Sequence, residues 1–166
     1  MATIHVDEIK AMARRAHEDA AFREELFAEV VRDHAVDAAW VLTHLPKADN
    51  ECIAEHREEL VEIATTTDNV SLRRITLTLL ERIDWSVFDP DDVPQYYVNL
   101  LDFSMEHLMM AEEPYGVRSL CMKLAYSLSL PYPELLGELK RSLLMLEPSD
   151  LGSGVRCTYN KILKKI

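Results

Sequence analysis

The sequence predicts an all-α protein, and three observations carry this prediction. The 166 residues are rich in Leu, Ala, Glu and Arg, which favour helices, and include only 4 glycines. Apolar residues recur at spacings of three and four along most of the chain. The β-branched cluster from Ile75 to Thr78 follows this helical spacing rather than the alternation of a strand. We therefore expect one helical domain of ordinary size.

Turn-forming residues divide the chain into successive helices. The breaks are marked by prolines, by acidic or asparagine pairs and by a glycine-containing segment near residue 152. Pro94 and Pro133 suit the first turn of a helix, where a missing N–H group costs nothing. The predicted helices are residues 6–16, 19–32, 34–45, 51–65, 70–84, 94–110, 115–129, 133–146 and 153–165.

Four of these helices carry a similar apolar stripe. The copies begin at residues 35, 72, 117 and 155, so their spacings are 37, 45 and 38 residues, close to the period of two-helix repeat units. Each copy is preceded by another amphipathic helix. We expect the stripes to be buried between repeats, Leu72, Leu79, Val117, Leu124, Val155 and Ile162 among them. The stripes are Ala35, Ala38, Ala39 and Leu42; Leu72, Ile75, Thr76 and Leu79; Val117, Leu120, Cys121 and Leu124; and Val155, Thr158, Tyr159 and Ile162.

An acidic turn leads into the stripe, and an arginine follows the first apolar stripe position, as in the segment from Asp68 to Arg73 and the segment from Glu113 to Arg118. This pattern resembles the second helix of HEAT repeats, and the chain is also similar to small all-helical bacterial proteins. The resemblance implies a HEAT or armadillo-like α–α superhelix, a right-handed solenoid of about four two-helix repeats. Residues 1–166 would form a single domain, with an N-terminal helix in residues 1–17 and the repeats in residues 18–166.

The recurring arginines are Arg73, Arg118 and Arg156, and the first copy departs from the pattern with Val36. The resemblance to HEAT repeats implies a structural ladder, in which each guanidinium bonds acidic residues or carbonyls of the preceding turn. For Arg118, this turn is the one around Glu113. The alternative is that the three arginines line an anion-binding cradle.

The formal net charge of −11 is distributed unevenly along the chain. Residues 1–137 carry twelve basic and twenty-six acidic side chains, and residues 138–166 carry six and three, which gives −14 and +3. An acidic body repels nucleic acid and anionic membrane surfaces at long range. A nucleic-acid partner and a membrane partner are therefore both disfavoured.

The sequence predicts a cytoplasmic protein with reduced thiols. No apolar run reaches the ~18 to 20 residues of a membrane span, and the N-terminus lacks the apolar core of a signal peptide. Cys52, Cys121 and Cys157 form no CxxC motif and lie inside helical patterns, where they are expected as small buried side chains.

Signals for catalysis or cofactor binding are weak. Cys52, His56 and Glu59 share a helical face, but a metal site would need further ligands, so we expect a solvated polar face and no metal. No nucleophile elbow, phosphate loop or HExxH motif is present. Neither an enzyme nor a cofactor is therefore expected. The methionines form either part of the core or an adaptable docking surface; they are Met105, Met109, Met110 and Met122.

The stripe alignment also predicts a docking face. The opposite side of each second helix lies two, six and nine residues after the first stripe position, and it carries four basic and two acidic side chains. We expect a concave groove that binds an acidic peptide or protein segment, with Tyr126 as aromatic anchor. Its candidate binding residues are Arg74, Lys123, Tyr126, Lys161 and Lys164. The selected positions are Asp37, Val41 and His44; Arg74, Thr78 and Glu81; Ser119, Lys123 and Tyr126; and Cys157, Lys161 and Lys164.

A non-catalytic protein-binding module or scaffold is the function that these patterns favour. The alternative from another class is an enzyme that resembles HEAT-like DNA glycosylases acting on alkylated bases, which would need a strongly basic groove with a central carboxylate. A third possibility is a subunit that acts only inside a larger assembly. The sequence indicates neither the identity of the partner nor the oligomeric state.

Overall fold

The computed structural model describes residues 5–166, and this range contains ten α-helices, three short 3-10 helices and no strand. The prediction of an all-α fold is therefore confirmed. Residues 1–4, which belong to the predicted N-terminal segment, lie outside the described residues. The helices are α1 (Val6–Glu18), α2 (Ala20–Asp33), α3 (Val36–Thr43), α4 (Asn50–Ala54), α5 (Arg57–Thr66), α6 (Val70–Glu81), α7 (Gln95–His107), α8 (Tyr115–Ser129), α9 (Pro133–Leu144) and α10 (Ser153–Leu163).

The single helix predicted over residues 51–65 is wrong, because the chain breaks there into α4 and α5. No proline or glycine marks the break at Glu55 and His56. The His56 ring instead stacks on Phe27 of α2, with ring centroids 4.1 Å apart, and its Nε2 lies 3.0 Å from Oε2 of Glu24. Tertiary contacts with α2 therefore accompany a break that has no local signal.

The helices form two compact units, one ending at Ile83 and the other spanning Asp84–Ile166. In the first unit, α2 packs on α3, α5 packs on α6, and the second helices α3 and α6 pack on each other. In the second unit, α7 packs on α8, α9 contacts α8 and α10, and the second helices α8 and α10 pack on each other. Each unit therefore contains two helix pairs with their second helices adjacent, as the repeat pattern predicts. A single domain over residues 1–166 stays a prediction.

The predicted apolar stripes form much of the core. Of their sixteen residues, fourteen are buried, and only Ala35 and Leu120 are half-buried. The six positions singled out as buried between repeats are all at most 4% exposed. Thr76 is the polar member of a fully buried stripe, and its hydroxyl donates to the Leu72 carbonyl oxygen at 2.8 Å within its own helix. The stripe can therefore include a threonine because its hydroxyl is hydrogen-bonded.

Two of the recurring arginines donate hydrogen bonds to the end of the preceding helix. Arg73 Nε donates to the Ala64 carbonyl at 3.3 Å and Nη2 donates to the Thr67 carbonyl. Arg118, only 4% exposed, donates from Nε to the carbonyl of Leu108 at 3.1 Å. The last carbonyls of a helix lack intrahelical donors, so these guanidinium groups satisfy acceptors that the turn would leave unpaired.

Two further arginines bond turns in the same way. Arg156 Nη2 donates to the carbonyl of Leu151, 3.2 Å away, just before α10. Arg82, at the end of α6, donates to the carbonyls of Thr43 and Pro46 at 3.2 and 2.9 Å. Burial lowers the pKa of Arg82 from its ordinary value, so the surrounding turn partly desolvates this guanidinium. The sequence patterns did not single out Arg82, and the alignment of the other three arginines as a ladder stays a prediction.

The first prediction concerns the apolar core of α8. Leu124 is 1% exposed, so Leu124→Ala removes buried methyl groups and leaves a cavity, which should lower the free energy of unfolding by about 2 to 5 kcal/mol. Leu144→Ala is the matched control, because Leu144 is 61% exposed and should lose little stability. Urea denaturation of both variants measures the difference, and equal losses would contradict the assigned core.

The second prediction concerns the buried arginine of α8. Arg118→Ala and Arg118→Lys should both lower the melting temperature, because alanine leaves the Leu108 carbonyl without this donor and lysine lacks the planar guanidinium. The Glu113 carboxylate in the same turn also lies 2.7 Å from His107 Nδ1. Arg74→Ala, which alters an exposed arginine, serves as the control. Unchanged melting of both Arg118 variants would show that this contact does not support the fold.

Candidate functional site

The helices α8 and α10 lie side by side and run in the same direction. Ser119 Oγ lies 2.7 Å from Thr158 Oγ1, and the Lys165 ammonium lies 5.2 Å from the centroid of the Tyr126 ring. Both pairs join residues 39 apart in the sequence. Because the offset is 39 residues at both contacts, α8 and α10 are parallel and keep one register along their length.

Lysine side chains flank these two contacts. Lys123 follows Ser119 by four residues and Lys161 follows Thr158 by three, so each lies about one helical turn beyond the hydroxyl pair. Both lysines are exposed, as is Lys164. The structure therefore places Lys123 on α8, Lys161 on the adjacent helix α10 and Lys164 directly after the end of α10, at the positions that the stripe alignment selects.

Tyr126 is half-buried, and the lysine over its ring is Lys165, which the stripe alignment did not select. Lys165 is exposed, and its ammonium is within the distance at which a cation is attracted to an aromatic ring. Lys165 can be found from the 39-residue offset between α8 and α10, because it lies 39 residues after Tyr126. We call the group Lys123, Tyr126, Lys161, Lys164 and Lys165 the basic surface.

The basic surface is suited to carboxylates. Each lysine ammonium offers three hydrogen-bond donors and no acceptor, and the half-buried tyrosine offers an aromatic face beside them. Other predicted positions on these helices contribute less. Ser119 is turned toward Thr158, whereas Cys157 is exposed on α10. The ionised side chains selected on this part of the docking face are therefore all cationic.

The corresponding positions of the first unit have a different character. Arg74 is exposed on α6, but Asp37 and Glu81 are exposed as well, so the selected charges are mixed. The prediction that Val41 belongs to an exposed face is wrong, because Val41 is fully buried. The reason is that α3 packs against α1, α2 and α6, which bury more than one side of this short helix. Arg74 and the basic surface belong to separate units.

The weaker candidates do not form a metal site. Within residues 5–166, no cluster of three or more His, Cys, Asp or Glu side chains could hold a metal ion. His56 is paired with Glu24, as described above, and Cys52 is half-buried.

The predicted methionines differ in exposure, since Met122 is fully buried and Met105 is half-buried. In the same described range, no helix combines the length and the apolar character needed to cross a bilayer.

Comparison with known proteins agrees with this architecture. A family model described as a HEAT repeat domain matches residues 1–166. No curated protein and no solved structure matched the chain. The family match covers the whole sequence and accords with the helix pairs and buried stripes described above, so the predicted resemblance is confirmed and the chain belongs to the HEAT repeat domain family.

Proposed function

We propose that this protein is a non-catalytic binding module whose basic surface receives an acidic segment of a partner protein. HEAT repeats generally mediate protein–protein interaction, and members of the family are typically scaffolds rather than enzymes. The observation that supports the proposal is the exposure of four lysines on the packed helices α8 and α10 and the end of α10, with the Lys165 ammonium 5.2 Å from the centroid of the Tyr126 ring.

Local electrostatics favour an anionic ligand at this position. The chain as a whole has a formal charge of −11, but charges beyond about 8 Å are largely screened at physiological ionic strength. Four exposed lysines on neighbouring turns therefore dominate the field at the basic surface. A carboxylate-rich segment would be attracted there, and its binding would weaken as the salt concentration rises.

Tyr126 supplies the apolar part of the proposed contact. Its ring is half-buried, with the Lys165 ammonium 5.2 Å from the centroid, so part of its conformational freedom is already lost before binding. Aromatic side chains of this kind often contribute a large share of the energy of an interface. We infer an acidic segment that carries at least one apolar side chain against the tyrosine ring.

The other functions considered from the sequence have different requirements. A glycosylase-type enzyme would need a carboxylate at the centre of a basic groove, whereas the two acidic docking positions, Asp37 and Glu81, lie in the first unit and the selected lysines lie in the second. A subunit of a larger assembly would use the same surface to contact its neighbour. A cytoplasmic location stays a prediction.

The third prediction tests the basic surface by charge reversal. Lys123→Glu combined with Lys161→Glu should weaken binding of the native partner about tenfold or more, because two attractive contacts become repulsive. Lys140→Glu combined with Arg141→Glu is the matched control, since these exposed residues of α9 give the same change in net charge. Affinity capture from the native cell extract, quantified by mass spectrometry, identifies the partner, and titration with the purified partner measures the affinities.

Both double variants should keep the melting temperature of the parent protein, because all four side chains are exposed. Partner binding that is unaffected by the α8–α10 reversal, or reduced equally by the control, would refute the proposed surface.

A further inference from the structure

A second concave surface lies on the other two helices of the same unit. A groove of about 530 Å³ opens between α7 and α9, a volume in the range of ligand-binding clefts. Its apolar lining includes Val98, Leu101 and Met105 of α7 and Leu135 of α9. Val98, Leu101 and Met105 follow the three-and-four spacing of one helical face. Apart from Leu101, these four side chains are only half-buried, so the groove keeps partly exposed apolar surface.

Carboxylates surround this apolar lining. Asp102 and Glu106 lie one turn apart on α7, and Glu138 lies on α9; all three are exposed and all three line the groove. No lysine, arginine or histidine of the described residues 5–166 contributes to this lining. The groove therefore combines an apolar floor with a rim of one charge sign.

Two tyrosines fix one part of the groove. The Tyr97 hydroxyl donates to the Leu128 carbonyl oxygen at 2.5 Å, and the Tyr132 hydroxyl donates to the Pro90 carbonyl oxygen at 2.7 Å. Burial raises the pKa of Tyr97 to about 12, which further favours the neutral phenol that donates this hydrogen bond. The tied hydroxyls hold the two rings in place, and the groove needs little rearrangement to accept a ligand.

We propose that the groove between α7 and α9 binds a basic amphipathic helix of a partner protein. The apolar residues of that helix would enter between Val98, Met105 and Leu135, and its lysines or arginines would pair with Asp102, Glu106 and Glu138. This is the helix-in-groove mode of recognition, in which anchors at helical spacing fill an apolar cleft and charges around it set the orientation.

Charge distinguishes this occupant from a second copy of the chain. Asp102, Glu106 and Glu138 lie at the rim itself, so they attract a bound basic segment over a distance at which salt screens little, whereas a second copy of the chain carries an excess of eleven acidic charges. The exposed positions that the alignment selects in and just after α10 are Cys157, Lys161 and Lys164. They provide two lysines but no large apolar side chain for the floor. The competing occupant is a second copy of the chain that inserts its exposed Leu144 and Met145, at the end of α9, into the groove.

The fourth prediction uses a defined probe. A peptide of about 14 residues, built of leucine and lysine with the leucines on one helical face, should bind the full-length protein in isothermal titration calorimetry. Glu106→Lys combined with Glu138→Lys should weaken this binding about tenfold or more. Glu25→Lys combined with Glu29→Lys gives the same change in net charge on the exposed side of α2 and should leave the affinity within about twofold of the parent.

Two further measurements separate groove binding from general attraction to an acidic protein. A peptide of the same composition with its leucines spread around the helix should bind at least about tenfold more weakly, because it offers no apolar face. Val98→Arg should also weaken binding of the amphipathic peptide, since it places a cation in the floor. Circular dichroism melts show whether each variant is folded, and NMR shifts of the Leu101, Met105 and Leu135 methyl groups locate the peptide in the parent protein.

The proposal fails if the two charge-reversed proteins lose affinity equally, if the two peptides bind equally, or if the methyl shifts lie outside the groove. Light scattering of the free protein tests the competing occupant. A dimer that Val98→Arg dissociates would overturn the proposal by showing that a second copy fills the groove, and a monomeric parent protein supports a separate basic partner.

Discussion

Helix ends set the main constraint on this fold, because each one leaves backbone carbonyls without intrahelical donors. Arginine side chains supply donors at several of them. Arg73 bonds the end of α5, and Arg118 bonds the residue that follows α7. Arg82 bonds the last residue of α3 and the turn that follows it. Since a guanidinium carries five N–H groups on a long side chain, one arginine can hold a turn and still pack its methylenes against neighbouring helices.

Fixing the turns determines which helix faces meet. Once α7 is joined to α8, and α9 to α10, the stripes of α8 and α10 are buried and the remaining faces are left to solvent. The exposed side of α8 and α10 carries the lysines, whereas the groove between α7 and α9 carries the carboxylates. The two proposed binding surfaces of the second unit thus have opposite charge and use different helices. The second unit thus offers one proposed surface for an acidic segment and another for a basic helix.

The repeated spacing of apolar residues was sufficient to predict most of the fold. The stripes that begin at Leu72, Val117 and Val155 are buried because their period matches that of a helix packed on one side. Val41 was misplaced because α3 is enclosed by three helices, which a one-sided pattern does not describe. The break near His56 was missed because the contacts that accompany it come from α2, far away in the sequence.

The candidate surfaces were predictable to different degrees. Lys123 and Lys161 follow from aligning the stripes, since each surface position is tied by helix geometry to a buried one. Lys165 needs in addition the offset of 39 residues between α8 and α10, which only the packed helices reveal. The groove could not be predicted, because its volume depends on the distance between α7 and α9 and not on the pattern of either helix.

The parallel packing of α8 and α10 also determines where the chain tolerates insertions. Copies of the stripe are 37, 45 and 38 residues apart, so the length of chain between two stripes differs from one repeat to the next while the spacing within each stripe is the same. One residue inserted within α10 would turn every later side chain by about 100° around the helix axis. Ile162 would leave the core and a charged neighbour would replace it. Residues can therefore be inserted between helices without disturbing this architecture. An insertion inside the second helix of a pair would disrupt it.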